Sequence, residues 1–306
     1  MTRGEYIEEL NKQPPGSGND NARLRDKRTL RPVRDRDDWP RTAPEGQAVR
    51  RIAVIDCETT GLAVERHQII ELCMAIVQVN DDGRIVAVES VRSGLVDPGH
   101  PLSEEIAELT GLTDQDLAGR SIDGDQVAEM LASCDGAVAF HADFDRPHVE
   151  KLIGRHVPVP WGCAMADVRW RKLGFESGPQ GYLLNQTGYY MPAAHRAKDD
   201  VLALIQLLDH VCADGEPVMA KTLAAMDAPA WRFQARGAPY GYKDDLREQR
   251  YRWAWGRLHN VWYKHVRQSS YQAELAWYVR TIGQQPAIVP LPANERYRFH
   301  TTWTPA

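Results

Sequence analysis

Between Arg51 and Val91 the sequence holds three apolar runs in quick succession, residues 52–55, 69–79 and 85–91. The turn-forming Asn80-Asp81-Asp82-Gly83 separates the last two. Three strands joined in sequence by tight connections make an antiparallel meander. Helical patterns come next. Ser103 reads as an N-cap with Glu104 and Glu105 in the first turn, and a second helix covers about residues 125–134. Residues 137–140 read as a strand leading into a helix at 144–153, and a long helix covers 197–212. Strands and helices mixed in this way predict an α/β domain.

Ahead of that pattern lie Pro14-Pro15-Gly16-Ser17-Gly18 and a mixed-charge stretch from Arg23 to Arg41 with few large apolar side chains. Such a segment cannot bury enough surface to offset its ordering entropy, so residues 1–48 are expected to be a disordered charged tail. The α/β domain is then expected over residues 49–215. A composition shift at Asp214-Gly215-Glu216-Pro217 introduces a linker over 216–229 and a small basic α+β module over 230–306. Past that shift lie 6 of the 9 tryptophans and 7 of the 11 tyrosines.

The formal net charge of -5 hides a partition. Residues 1–51 carry 12 basic and 9 acidic side chains, residues 52–215 carry 12 and 26, and residues 216–306 carry 13 and 7. An acidic centre between basic ends suits a domain that gathers carboxylates for metal beside neighbours that offset phosphate repulsion. Ordinary surface solvation also accounts for much of the acid. Cys57, Cys73, Cys134, Cys163 and Cys212 are odd in number and contain no C-x-x-C pair, which argues against a disulfide framework or a zinc site and for a reducing, cytoplasmic setting. No apolar run reaches membrane-spanning length, and Met1 to Leu10 lacks the apolar core of a secretory signal.

Chemistry concentrates in three motifs. The first, Asp56-Cys57-Glu58-Thr59-Thr60-Gly61-Leu62, ends the strand that starts near Ile52. Alternation along a strand puts Asp56 and Glu58 on the face shared with Ile52 and Val54. Two like charges that close together call for a hard divalent cation, unless the strand has already ended and both acids are solvated. The second motif, Phe140-His141-Ala142-Asp143-Phe144-Asp145-Arg146-Pro147, is a strand-to-helix junction where Asp145, with Asp143 as its rival, either reaches the same pocket or caps the helix. The third, His195-Arg196-Ala197-Lys198-Asp199-Asp200, opens the long helix. At 3.6 residues per turn, Ala197, Val201, Leu204, Leu208 and Val211 form one apolar stripe; Asp200 lies beside it and Asp199 points nearly the opposite way.

Taken in order, D-x-E-T-T-G-L at Asp56 to Leu62, F-D-R-P at Phe144 to Pro147 and H-x-A-x-x-D at His195 to Asp200 resemble the DEDDh exonucleases of the DnaQ-like group. Trp161-Gly162-Cys163, Asp167-Val168-Arg169-Trp170 and Gly174-Phe175 support the resemblance, which covers roughly residues 50–213. Phe140 and His141 stand where that family usually has His and Asn. The resemblance implies a ribonuclease H-like mixed sheet flanked by helices, and a 3′-to-5′ exonuclease with two Mg²⁺ or Mn²⁺ ions. It assigns Asp56 to bridge the ions, Glu58 and Asp200 to complete one site, Asp145 to support the other, and His195 to act as general base. Thr59, Thr60, Gly61 and Leu62 would hold the terminal nucleotide.

In the C-terminal module a strand is expected at 231–235, a helix at 243–250, a hairpin from 251–255 to 261–266 turning near Gly256, and a helix at 271–281. Tyr251, Trp253 and Trp255 alternate onto one strand face beside Arg247, Arg250, Arg252 and Arg257. Aromatic platforms with interleaved cations hold single strands without sequence preference. The same rings equally suit the core of a small domain short of Leu and Ile. The leading expectation is a DNA 3′-end exonuclease in repair or end processing. An RNA exonuclease and a polymerase-associated proofreading or binding subunit are the alternatives.

Overall fold

A computed structural model of the chain describes residues 29–176, 178–191, 195–254 and 260–298. Two compact units divide at Ala225 and Met226. The first is built on a five-stranded sheet. Strands β1 (Arg50–Thr59), β2 (Ile69–Val79) and β3 (Ile85–Leu95) run antiparallel in sequence, as the meander predicts, and β4 (Gly136–Ala139) and β5 (Trp161–Cys163) add parallel to β1 in the order β3-β2-β1-β4-β5. This is a mixed sheet, three antiparallel strands extended by two parallel ones. The three residues of β5 are too few to carry a periodic signal, and Trp161, 1% exposed, anchors them.

Helices cover both faces, because Ile52, Ala53, Val54 and Ile55 of β1 are all 0% exposed. They are α1 (Glu104–Thr110), α2 (Gly124–Ala132), α3 (Ala142–Ile153), α4 (Gln180–Gln186) and α5 (Ala197–Leu208). Ser103 caps α1 through the Ile106 N–H, as expected. Helix α5 packs on β1, β2 and β3, whereas α3 packs on β1, β4 and β5. Eight consecutive residues of α5, Val201 to Leu208, are buried, which is the composition of a helix enclosed on most sides. It stops at Leu208 rather than at Cys212: Val211 bridges to Pro217, and the Cys212 N–H donates to the Glu216 carbonyl, turning the chain back.

Two expected boundaries are corrected. Residues 1–28 lie outside the described residues, but from Thr29 the supposed tail is a strap on the first unit. Arg31–Pro32 pairs parallel with Tyr189–Tyr190, Trp39 is buried, and the Val88 N–H donates to the Pro40 carbonyl. Arg34 reaches Gln206 Oε1 at 2.9 Å and Asp209 Oδ2 at 2.6 Å while its guanidinium lies 3.4 Å from the Trp39 ring centre. Charges that look like solvated tail are therefore committed to specific partners. The expected linker is mostly helix α6 (Val218–Asp227), with Val218, Met219, Thr222 and Met226 buried. Pro217 just before its start is a helix-initiating signal, and Gly83 sits so close to Ala220 that an added Cβ would be 2.4 Å from the alanine methyl.

The second unit is α+β. Strands β6 (Ala230–Gln234), β7 (Arg252–Ala254), β8 (Val261–Arg267) and β9 (Ala287–Pro290) form an antiparallel sheet in the order β9-β6-β8-β7, with helices α7 (Lys243–Glu248) and α8 (Tyr271–Ile282). Strand β9 was not legible in the sequence. Phe233, Leu246, Tyr251, Val266, Tyr278 and Ile282 form the core. Tyr251, 3% exposed, therefore belongs to packing and not to a stacking face. Trp255, Gly256 and Arg257 lie outside the described residues.

Candidate active site

Three carboxylates converge at the carboxyl end of β1. Asp56 and Glu58 project from one face of that strand, and Asp200 enters from the first turn of α5, so that one oxygen of each lies within 4.8 Å of the others. Glu58 is buried, and Asp56 and Asp200 are half-buried. Helical phase places Asp200 rather than Asp199 in the cluster. All three donors are oxygens of hard, charged ligands, a set that fits a hard divalent cation such as Mg²⁺ or Mn²⁺.

Asp145 arrives from the first turn of α3. Cys57 points away from the Asp56 face toward α3, where its N–H donates to Asp145 Oδ1 at 3.2 Å and its Sγ lies 3.4 Å from the same oxygen. Asp145 is 2% exposed and falls outside the 4.8 Å set. Burial pushes the Cys57 thiol well above its ordinary range, with the charges of Asp145 and Asp56 adding to it. Cys73, opposite Asp56 in the ladder, is raised in the same way, first by burial and then by Asp56. Both remain neutral packing groups.

His195 precedes α5 with φ +64, a left-handed conformation that costs a side chain-bearing residue about 1–2 kcal/mol. That turn aims its N–H at Asp200 Oδ2, 3.0 Å away. The Asp200 carboxylate is thus both a member of the cluster and the tether of the loop that carries the histidine. Gln180 of α4 donates to the Asp200 carbonyl at 2.7 Å.

The sequence reading missed a supporting pair. Glu71 stands directly opposite Glu58 in the β1–β2 ladder and shares its face. Its buried carboxylate accepts from Arg196 Nε at 3.0 Å, Arg196 Nη2 at 3.2 Å and the Ala197 N–H at 3.2 Å. The bond to Glu71 raises the Arg196 pKa, with burial opposing it. This forked pair fixes the start of α5, and so Asp200, against the sheet. The signal was present as a lone acid in the apolar run Ile69-Ile70-Glu71-Leu72.

The loop after β1 is tightly laced. Thr59 Oγ1 donates to the Gly61 carbonyl at 2.8 Å, Thr60 Oγ1 contacts His67 Nδ1 at 3.2 Å, and a Cβ on Gly61 would lie 2.6 Å from the His67 ring. Lys151 of α3 donates to the Val64 and His67 carbonyls at 2.7 and 2.9 Å, and Leu62 is 38% exposed. In the second unit, Arg247, Arg250 and Arg252 are exposed, and Arg247 pairs with Asp244 at 3.2 Å.

Residues 53–208 match the exonuclease family represented by RNase T. The chain belongs to this exonuclease family. The match spans all three carboxylates, Asp145 and His195, and makes the first unit a nuclease domain. Similar proteins include the PolC-type DNA polymerase III of Lacticaseibacillus paracasei, 35% identical over 127 residues, or 41% of this chain and 8% of the polymerase. The PolC-type polymerase of Streptococcus mutans is 32% identical over 105 residues, covering 34% of this chain and 7% of its own length. The exonuclease chain thus corresponds to under a tenth of these relatives. Among solved structures, exonuclease X in complex with 5′-overhanging duplex DNA is 25% identical with a TM-score of 0.39, over 52% of this chain and 89% of that one. Exonuclease I is 12% identical with a TM-score of 0.42, over 60% and 48%. Among the described residues of this exonuclease, no helix is long and apolar enough to cross a membrane.

Proposed function

We propose that this exonuclease removes nucleoside monophosphates from the 3′ ends of DNA by two-metal-ion phosphodiester hydrolysis, in DNA repair or end processing. The observation that carries the reading is the set of Asp56, Glu58 and Asp200 oxygens within 4.8 Å of one another inside an exonuclease domain. Carboxylates gathered so closely repel unless cations neutralise them. When bound, two divalent ions supply Lewis acidity toward the phosphodiester and offset charge on the departing 3′ oxygen. Asp56, Glu58 and Asp200 would hold them, with Asp145 contributing from the first turn of α3.

The chain's own groups orient the substrate and move the proton. His195 accepts the proton of the attacking water, a role supported by the bond from its backbone N–H to Asp200 Oδ2, which ties its loop to the start of α5. Thr59, Thr60, Gly61 and Leu62 receive the terminal nucleotide, with the backbone amides near the 3′ hydroxyl and Leu62 against the last base. The five buried free thiols suit a reducing, cytoplasmic setting.

The test is digestion of 5′-labelled single-stranded, recessed and blunt DNA, with RNA of the same sequence alongside, in Mg²⁺, in Mn²⁺ and in chelator. A metal-dependent ladder that shortens from the 3′ end of DNA is expected. Endonucleolytic fragments would sink the proposal, and preferential digestion of RNA would transfer the activity to that polymer. The similarity to PolC-type polymerases favours a second reading, a proofreading subunit that works with a polymerase in trans. Co-purification with a polymerase, and faster removal of a mispaired than a paired 3′ nucleotide, would support it.

A further inference from the structure

The C-terminal unit has aromatic surface that its core does not use. Tyr240, in the single turn Tyr240–Tyr242, is 81% exposed, and neither it nor Trp253 packs into the cluster around Phe233 and Tyr278. Trp253 of β7 stands opposite Trp262 of β8 in the ladder, with ring centres 5.3 Å apart and planes at 65°. These three rings, with Arg236 and Asn260, line an open cavity of about 390 Å³.

Cations surround the rings. Lys243 Nζ lies 4.6 Å from the Tyr240 ring centre and donates to its hydroxyl at 3.2 Å. The Arg247 guanidinium lies 5.5 Å from the centre of Trp262, although it also pairs with Asp244. Arg236 is exposed, with Nε held by Gln234 Oε1 at 2.8 Å. The surrounding segment, residues 216–306, carries 13 basic and 7 acidic side chains.

We propose that this cavity is a second nucleic-acid site, a cradle in which an unpaired base of a single strand stacks on Tyr240 and Trp253 while Arg236, Lys243 and Arg247 meet the flanking phosphates. The inference rests on the nuclease reading for the identity of the polyanion. Aromatic rings suit any base, because every base has a π-face, and the interleaved cations supply the sequence-independent attraction. A proline-rich peptide would also fit aromatic walls, but it gives the three cations nothing to neutralise. A cradle of this kind engages bases other than the reacting nucleotide, so its contribution grows with substrate length.

The test uses the full chain. Binding of a fluorescein-labelled twenty-nucleotide oligothymidylate is measured in chelator, and hydrolysis of the p-nitrophenyl ester of thymidine 5′-monophosphate is measured in Mn²⁺. Tyr240→Ala should weaken oligonucleotide binding by about tenfold, the effect of losing one base stack, while Tyr240→Phe keeps it. Arg247→Ala should lower the salt dependence of binding by about one phosphate contact. Both variants should hydrolyse the small ester at the wild-type rate. Unchanged oligonucleotide affinity in Tyr240→Ala would overturn the proposal, as would displacement of the strand by a proline decapeptide with no effect of Arg247→Ala. If the wild-type chain hydrolysed neither the ester nor any DNA, the nuclease reading would fail, and the binding measurements would still decide the cradle.

Discussion

Replacing Arg196 by alanine should destabilise the exonuclease unit more than replacing its partner Glu71 by glutamine. The Glu71 side chain is 4% exposed and that of Arg196 is 42% exposed, so the two ends of the pair have unequal access to water. Loss of the guanidinium leaves a buried carboxylate with the Ala197 N–H and directly across the ladder from Glu58. Stranding one member of a buried pair costs about 3–5 kcal/mol. The remaining amide bond and the partial solvation of the original pair reduce this to about 2–3 kcal/mol. In Glu71→Gln the amide oxygen still accepts from Ala197, the exposed arginine rehydrates, and a like charge beside Glu58 disappears, so a loss of about 1 kcal/mol or less is expected. Urea unfolding of both variants in chelator, followed by circular dichroism, measures the difference. Because both changes disturb the seat of Asp200, each should also lower kcat. Equal losses, or a larger loss for Glu71→Gln, would refute the reasoning.

Asp56→Asn should lower hydrolysis by orders of magnitude while raising the melting temperature in chelator, because one of three crowded like charges is removed; a folded variant with near wild-type turnover would remove Asp56 from the site. His195→Ala should abolish most activity, and His195→Gly should be equally inactive but more stable than the alanine variant by about 1 kcal/mol, since glycine adopts φ +64 without strain. Calorimetry of the two variants checks the difference. Burial lowers the His148 pKa below its ordinary 6.5, against the opposing bond to the Phe144 carbonyl. The unfolded chain therefore takes up a proton that the folded chain refuses, and stability is lost as pH falls through about 6.5. Urea midpoints at about pH 7.5 and 5.5 should converge in His148→Gln relative to the wild type. The five buried thiols should react with a thiol reagent only on unfolding, and fast labelling of Cys57 in the native chain would contradict its enclosure beside Asp145.

Local periodicity carried much of the site. Strand alternation joins Asp56 to Glu58, and the helical phase of Ala197, Val201 and Leu204 selects Asp200, because both depend only on neighbours within a few residues. The Glu71–Arg196 pair was invisible for the opposite reason. Its partners are separated by most of the domain, and only the register of β1 on β2 brings Glu71 beside the start of α5. The three-residue β5 and four-residue β9 are too short for a period to show. Helix α6 was hidden by its turn-like Asp214-Gly215-Glu216-Pro217 approach, which marks a helix start as readily as a linker. In the strap, composition misled: Arg34 resembles any charge in a polar tail until Asp209 and the Trp39 ring are placed around it.

The strap also separates two meanings of a domain boundary. Family similarity begins at residue 53, yet the folded unit extends back at least to Arg31, where the chain pairs with Tyr189–Tyr190. Burial already raises the pKa of Asp209, and Arg34 leads the groups that pull it back. A fragment trimmed to the family limits would keep every carboxylate of the cluster and still expose the seat of Trp39, leaving an acid at the end of α5 without the arginine that pairs with it. The helix that presents Asp200 at its first turn is thus secured at its last by residues that no catalytic motif contains.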